Sequence, residues 1–337
     1  MISLIYYVVC LAMLGLPNLQ DDKPEWISNP EKSYPNSQFM TAVGTGDSRK
    51  EAENSAASSL SQIFQSKIKS EETINARYLE LMKSDQSSLE SQTNINKNIS
   101  VSSEQTLFNV RYPESYTDKL GKVYALGVIE REPTAVIYKN KMDDNSTRVA
   151  AFVKKYNELK DPIKKYANIG AALVTAKVNE TLREQLQIIM PGTGVQSDTA
   201  YSLERITELC SDAQKAVPFV IDVSGDQKND VTGFVGDMLS GLGFSVIEKG
   251  GALAVTGTES VEPINLQNDQ MKFVRWSYQF SISDASGMVI ISLSEAGREA
   301  HVTQSEAVAR ALRTMRDKIK ADLAKKINSY FDGLVMK

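Results

Sequence analysis

Ala52, Ala56, Leu60, Phe64 and Ile68 recur every four residues, which predicts a helix with one narrow apolar stripe, small at its start and larger further on. Small residues at the start of the stripe let such a helix approach a sheet closely. Just ahead lies a short apolar strand, residues 39–43 (FMTAV), ending in Gly44-Thr45-Gly46. Ser48 and Glu51 then form a capping box, the serine accepting from an orphan amide while the glutamate reaches back to the cap. Residues 69–105 are rich in Ser, Asn, Gln and Glu. Helical spacing persists near Tyr78, Leu79 and Met82 and gives way to alternation at Ile95, Ile99 and Val101, so this stretch reads as a solvent-facing excursion. Strands at 106–112 and 122–132 (KVYALGVIERE) complete a β-α-β-β plan.

Residues 145–190 are helical by pattern. Asn145-Ser146-Thr147 supplies a cap, Ala150, Phe152, Val153 and Tyr156 supply a stripe, Pro162 breaks the run and Pro191-Gly192 ends it. A further helix covers 202–215. The last third predicts a strand at 217–223, a helix at 229–242, strands at 244–247 and 252–257, and a hairpin of 272–283 with 288–294. A second capping box, Thr303 to Glu306, opens a long helix with the stripe Val308, Leu312, Met315, Ile319, Leu323, Ile327 and Tyr330. Laid box on box, the first stripe falls on Ala307, Ala311, Met315, Ile319 and Leu323, which fits either a duplicated module or the general pattern of a helix on a sheet. The fold class expected is α+β, two small β-α-β-β type domains joined by a helical connector. The boundaries are a signal-like segment at 1–20, a first domain at 21–142, the connector at 143–215 and a second domain at 216–337.

Residues 2–16 (ISLIYYVVCLAMLGL) are too short an apolar run for a stop-transfer helix and suit the core of an export signal. Cys10 is a candidate for lipidation, although Tyr7-Val8-Val9 ahead of it lacks the small residue that should precede an acylated cysteine. Residues 21–38 carry Pro24, Pro30 and Pro35 and read as an extended lead-in. The chain of 337 residues is 42% hydrophobic and 24% charged with a formal net charge of −4, a globular composition without the basic footprint of a nucleic-acid binder. Of the two cysteines, Cys210 lies on the apolar side of the 202–215 helix and reads as a buried thiol.

The search for chemistry returns little. His301 is the one histidine, and no G-x-S-x-G elbow, H-E-x-x-H, C-x-x-C or calcium loop accompanies it. No catalytic residue, cofactor or metal is expected. Gly44, Gly46, Asp47 and Ser48 form a glycine-containing turn into a helix, the kind of place where anions bind, but they lack the lysine of a P-loop and the third glycine of a dinucleotide site. A tight turn with a serine cap is the plainer reading. Glu130 and Glu132 read as neighbours on one strand face, with nothing placing a third acid across a cleft from them.

Pro24, Trp26, Val43, Gly44, Gly46, Ser48, Glu51, Ala52 and Ala56 together resemble the bacterial twenty-kilodalton lipoprotein family over roughly residues 22 to 140. In that family a Pro-x-Trp lead-in precedes a V-G-x-G-x-S turn and an E-A-x-x-x-A helix. The layout of the last third is similar to small α/β modules of periplasmic assembly lipoproteins. The resemblance implies a non-enzymatic protein exported to the periplasm or outer membrane, partnered by envelope proteins or peptidoglycan, and attached to membrane only through its signal or a lipid. Docking through strand edges and the polar excursion is the expected mechanism. The alternatives are a binder or enzyme for cell-wall fragments at the Gly44 to Ser48 turn, and a structural subunit assembling through helices 145–190.

Overall fold

The computed structural model describes residues 23–65, 72–85, 107–192, 201–226, 230–265 and 270–337. The apolar N-terminus with Cys10, and the positions Ile68, Ile95, Ile99 and Val101, lie outside these. The chain divides into two compact units, one holding the described residues within 1–68, 98–137 and 188–191, the other those within 69–97, 138–187 and 192–337.

The first unit is built on β1 (Phe39–Gly46), α1 (Arg49–Gln65), β2 (Arg111–Thr117) and β3 (Val123–Glu130). The sheet order is β1-β3-β2, both pairings antiparallel, with β3 central. Ala52, Ala56, Leu60 and Phe64 are all buried, as their spacing predicts. The opposite face of the sheet is covered by the lead-in, where a 3-10 turn (Glu25–Ile27) sets Trp26 against Leu126 and Val128, with Tyr34, Phe39 and Tyr124 around it. Because both faces of β3 are covered, five consecutive residues of it are buried, and the alternation read from its sequence is absent.

Three sequence expectations are corrected here. The strand expected at 106–112 is β2, displaced to Arg111–Thr117. It carries Pro113 and a register shift between Arg111 and Glu114, features that an edge strand tolerates. The strand expected to run to 132 stops at Glu130, and α3 (Arg131–Glu158) begins at once, so Glu130 and Glu132 do not share a strand face. Pro133 in the first turn was the available signal for that helix start. Asn145-Ser146-Thr147 is not a cap but the middle of α3. There Ser146 and Thr147 return their hydroxyls to the carbonyls of Met142 and Asp143, at 2.8 Å and 3.0 Å.

The second unit contains α2 (Glu72–Asp85), most of α3 and α4 (Pro162–Ile189), α5 (Leu203–Lys215), β4 (Phe219–Ser224), α6 (Asp230–Gly241), β5 (Leu253–Ile264), β6 (Lys272–Asp284), β7 (Val289–His301) and α7 (Gln304–Asp332). Its sheet runs β4-β5-β6-β7, parallel in the first pair and antiparallel in the rest. The segment expected as a strand at 244–247 makes only a single bridge, Val246 to Phe219. α5 is capped by Ser202, which accepts from the amide of Arg205 at 3.2 Å, and α7 by Thr303, which accepts from that of Glu306 at 3.4 Å.

α7 lies on β6 and β7 and buries Ala307, Ala311, Met315, Ile319, Leu323, Ile327 and Phe331. The Val308 and Leu312 row is only half-buried. Phe331 packs edge-on against Tyr166 and stacks with Phe244, joining α4 and α7 in a single core. Within that core, Tyr78 donates to the side-chain oxygen of Asn145 at 2.7 Å. Asn145 donates to Asn179 at 2.9 Å, and Asn179 reaches the Tyr201 hydroxyl at 3.1 Å. These polar links fix the register of α2, α3 and α4 against each other, since any slip would strand a buried amide.

Candidate functional site

The Gly44 to Ser48 turn is fully accounted for by packing. A Cβ on Gly44 would stand 2.2 Å from the carbonyl oxygen of Ala52, and one on Gly46 2.5 Å from the Cβ of Glu51. Ser48 accepts from the amide of Glu51 at 3.3 Å, and the Glu51 carboxylate accepts from the amide of Asp47 at 2.9 Å. An acidic side chain of the protein thus occupies the place at this helix start where an external anion would sit. His301 is the last residue of β7, and its Nδ1 accepts from the amide of Thr303 at 3.4 Å. Cys210 is buried, and burial pushes its thiol up to about 11, far from the range of a working nucleophile.

Among the described residues no group of three or more His, Cys, Asp or Glu could hold a metal ion. The nearest approach to an acidic cluster lies beyond β4. Asp226 accepts from the amide of Thr232 at 2.6 Å and so caps α6. Burial pushes the carboxyl of Glu259 up to about 7, with the charges of Asp226 and Asp230 adding to the shift.

What stands out is a bare sheet face. On the side of the second sheet away from α6 and α7, two cross-strand rows carry small polar side chains, Asp222, Thr256, Ser281 and Ser292 in one, Ser224, Thr258, Gln279 and Ser294 in the next. All are exposed except Ser281, which is half-buried and shares a hydrogen bond of 3.0 Å with Thr256. A shallow depression of about 570 Å³ lies over these rows. Two rows further along, the exposed Arg275 stands directly between Arg298 of β7 and Glu262 of β5, so that row already carries charges of both signs. Sequence reasoning missed this face because single serines and threonines at alternate positions carry no motif; only strand register collects them.

One edge of this sheet, β7, is by contrast guarded. From α7, Lys326 donates to the carbonyl of Ser292, Lys318 pairs with Glu295 at 2.6 Å, and Thr314 donates to Glu299 at 2.8 Å. Each of these residues sits one position before a member of the buried stripe, Met315, Ile319 or Ile327, so the same turns of helix serve both core and edge.

Trp26 over one face of β1-β3-β2 and a small-residue seam under α1 make the first unit a small α+β module. Residues 24–130 match the family model described as LPP20 lipoprotein, which bears out the resemblance carried by Trp26, Gly44, Gly46 and Glu51. No curated protein matches the chain. Among solved structures, a minor lipoprotein from Acinetobacter baumannii is 11% identical, over 34% of this chain and 91% of its own, with a TM-score of 0.28. A secreted protein from Helicobacter pylori is 12% identical, over 86% of this chain and 97% of its own, with a TM-score of 0.39. The rare lipoprotein B of Shewanella oneidensis is 12% identical, over 33% and 89%, with a TM-score of 0.24. These structural likenesses are too slight to carry an argument.

Proposed function

We propose that this chain is an exported, non-enzymatic protein of the bacterial cell envelope that docks an envelope partner on the bare face of its second sheet. The observation that carries this reading is the pair of exposed rows from Asp222 to Ser292 and from Ser224 to Ser294, which no described element covers. A flat field of hydroxyl and amide groups, with Arg275, Arg298 and Glu262 beyond it, suits a polar partner that pairs through hydrogen bonds and charges of both signs. The lipoprotein-family match over residues 24–130 supports the envelope as the compartment. Strand addition at β7 is disfavoured because α7 guards that edge, which favours docking on the face over docking at that strand.

The test is photo-crosslinking in living cells from a reactive residue at Gln279, with the same probe at Met288 as control. A discrete adduct in the envelope fraction from position 279, lost on R275E/R298E, is expected. A chain recovered intact in the cytosol, or adducts equal at both positions, rejects the proposal.

A further inference from the structure

We propose that the β2–β3 hairpin tip of the first unit is a membrane contact, with Leu120 inserting into the bilayer surface beside the point where the N-terminal segment leaves the domain. The inference rests on the envelope reading above and adds a surface to it.

Leu120 is 94% exposed, more than any other large apolar side chain among the described residues. It is held there rigidly. The Asp118 carboxylate accepts from the amides of Leu120 at 3.0 Å and Lys122 at 2.9 Å, while the amide of Gly121 donates to the carbonyl of Asp118 at 3.0 Å. Gly121 takes the left-handed conformation, φ 84°, that such a three-residue connection requires. Lys119 and Lys122 flank the leucine and are both exposed. An apolar tip between two lysines can bury its leucine among acyl chains while the ammonium groups remain at phosphate level.

The second observation is where the chain enters. Lys23 is fastened to this same hairpin, donating to the Tyr124 hydroxyl at 3.0 Å, lying 3.6 Å from Asp118 and 4.9 Å from the Tyr124 ring centre. Residues 17–22 join this fixed point to the apolar run 2–16. Six residues span about 20 Å at full extension, and the stretch from Cys10 spans about 45 Å. Anchoring by either means therefore holds the tip next to the bilayer at high effective concentration, where a single leucine suffices for contact. Two lysines add little electrostatic attraction, so insertion of the leucine carries the contact and binding depends little on anionic lipid.

The test uses the full chain reconstituted into phosphatidylethanolamine–phosphatidylglycerol vesicles and into phosphatidylcholine vesicles, with L120W and, as control, M288W. Flotation with the vesicles reads anchoring. Quenching by lipids brominated near the headgroup, taken as the difference from the unsubstituted chain, reads the position of the tip. Quenching of L120W severalfold above M288W in both vesicle types is expected. Flotation without quenching of L120W overturns the proposal and leaves the envelope reading standing, whereas failure to float overturns both. A concentration-dependent blue shift of L120W without vesicles also overturns it, because a second copy of the chain would then be covering the leucine.

Discussion

Gly44 of β1 passes so close to α1 that a Cβ there would stand 2.1 Å from the backbone nitrogen of Ala56. No rotamer change relieves a backbone clash, so helix and sheet would have to separate. Gly44→Ala is expected to destabilise the first unit by about 3 kcal/mol, read as a shift of its denaturant midpoint. A change under 0.5 kcal/mol would show that the seam is slack.

Trp26 closes the other face of the same sheet over Leu126 and Val128. Removing its side chain leaves a cavity as well as newly wet apolar surface. Trp26→Ala is expected to cost about 3 kcal/mol, with amide exchange rising in β3 while β6 is unaffected.

The links from Tyr78 through Asn145 to Asn179 make a different kind of prediction. Asn145→Ala strips partners from two buried groups and is expected to cost about 2 kcal/mol. N145A/N179A together should cost much less than the sum of the single changes, since the second removes a group the first has already orphaned. Additive losses in a double-mutant cycle would mean the network does not act as a unit.

Glu259 gives the second unit a pH dependence. Burial, with Asp226 and Asp230, raises its carboxyl from 4.5 to about 7, so the folded chain holds a proton there that the unfolded chain releases. The folded state binds more protons across this window, and stability therefore falls as pH rises from 4.5 through about 7, remaining lower above it. Glu259→Gln is expected to raise the thermal midpoint clearly at pH 8 and hardly at pH 5. Equal gains at both values would count against burial as the cause.

At β7 the prediction concerns association rather than folding. Lys318 and Lys326 are exposed, so the contacts they make with Glu295 and the Ser292 carbonyl contribute little to stability. K318A/K326A should leave the thermal midpoint nearly unchanged while uncovering an edge for intermolecular pairing, seen as a rise in light scattering at high concentration.

The helices were the most legible part of the sequence. Ser48 with Glu51 and Thr303 with Glu306 marked their starts because capping is local chemistry, and the spacing of four from Ala52 to Phe64 and from Met315 to Ile327 marked their buried sides. The start of α3 is hidden in the sequence because it follows β3 with no cap between, and Asn145 resembles a cap because its role as a buried mid-helix amide depends on partners 34 and 67 residues away. β2 was displaced for a related reason: an edge strand with Pro113 and polar neighbours carries little periodicity. The bare sheet face and the isolated leucine at 120 had no sequence signature, since both are defined by what does not cover them.

The docking of Trp26 and Lys23 also bears on how the chain is matured. A peptidase cutting beyond Trp26 would remove the side chain that shields Leu126 and Val128 and leave that side of the three-stranded sheet wet. Under the export reading proposed above, productive trimming would be confined to the stretch upstream of Trp26, and a later cut would yield a substrate for quality-control proteolysis instead of a finished protein. The lead-in would then act as a ruler for processing, its docked tryptophan marking the latest point at which a leader could be released.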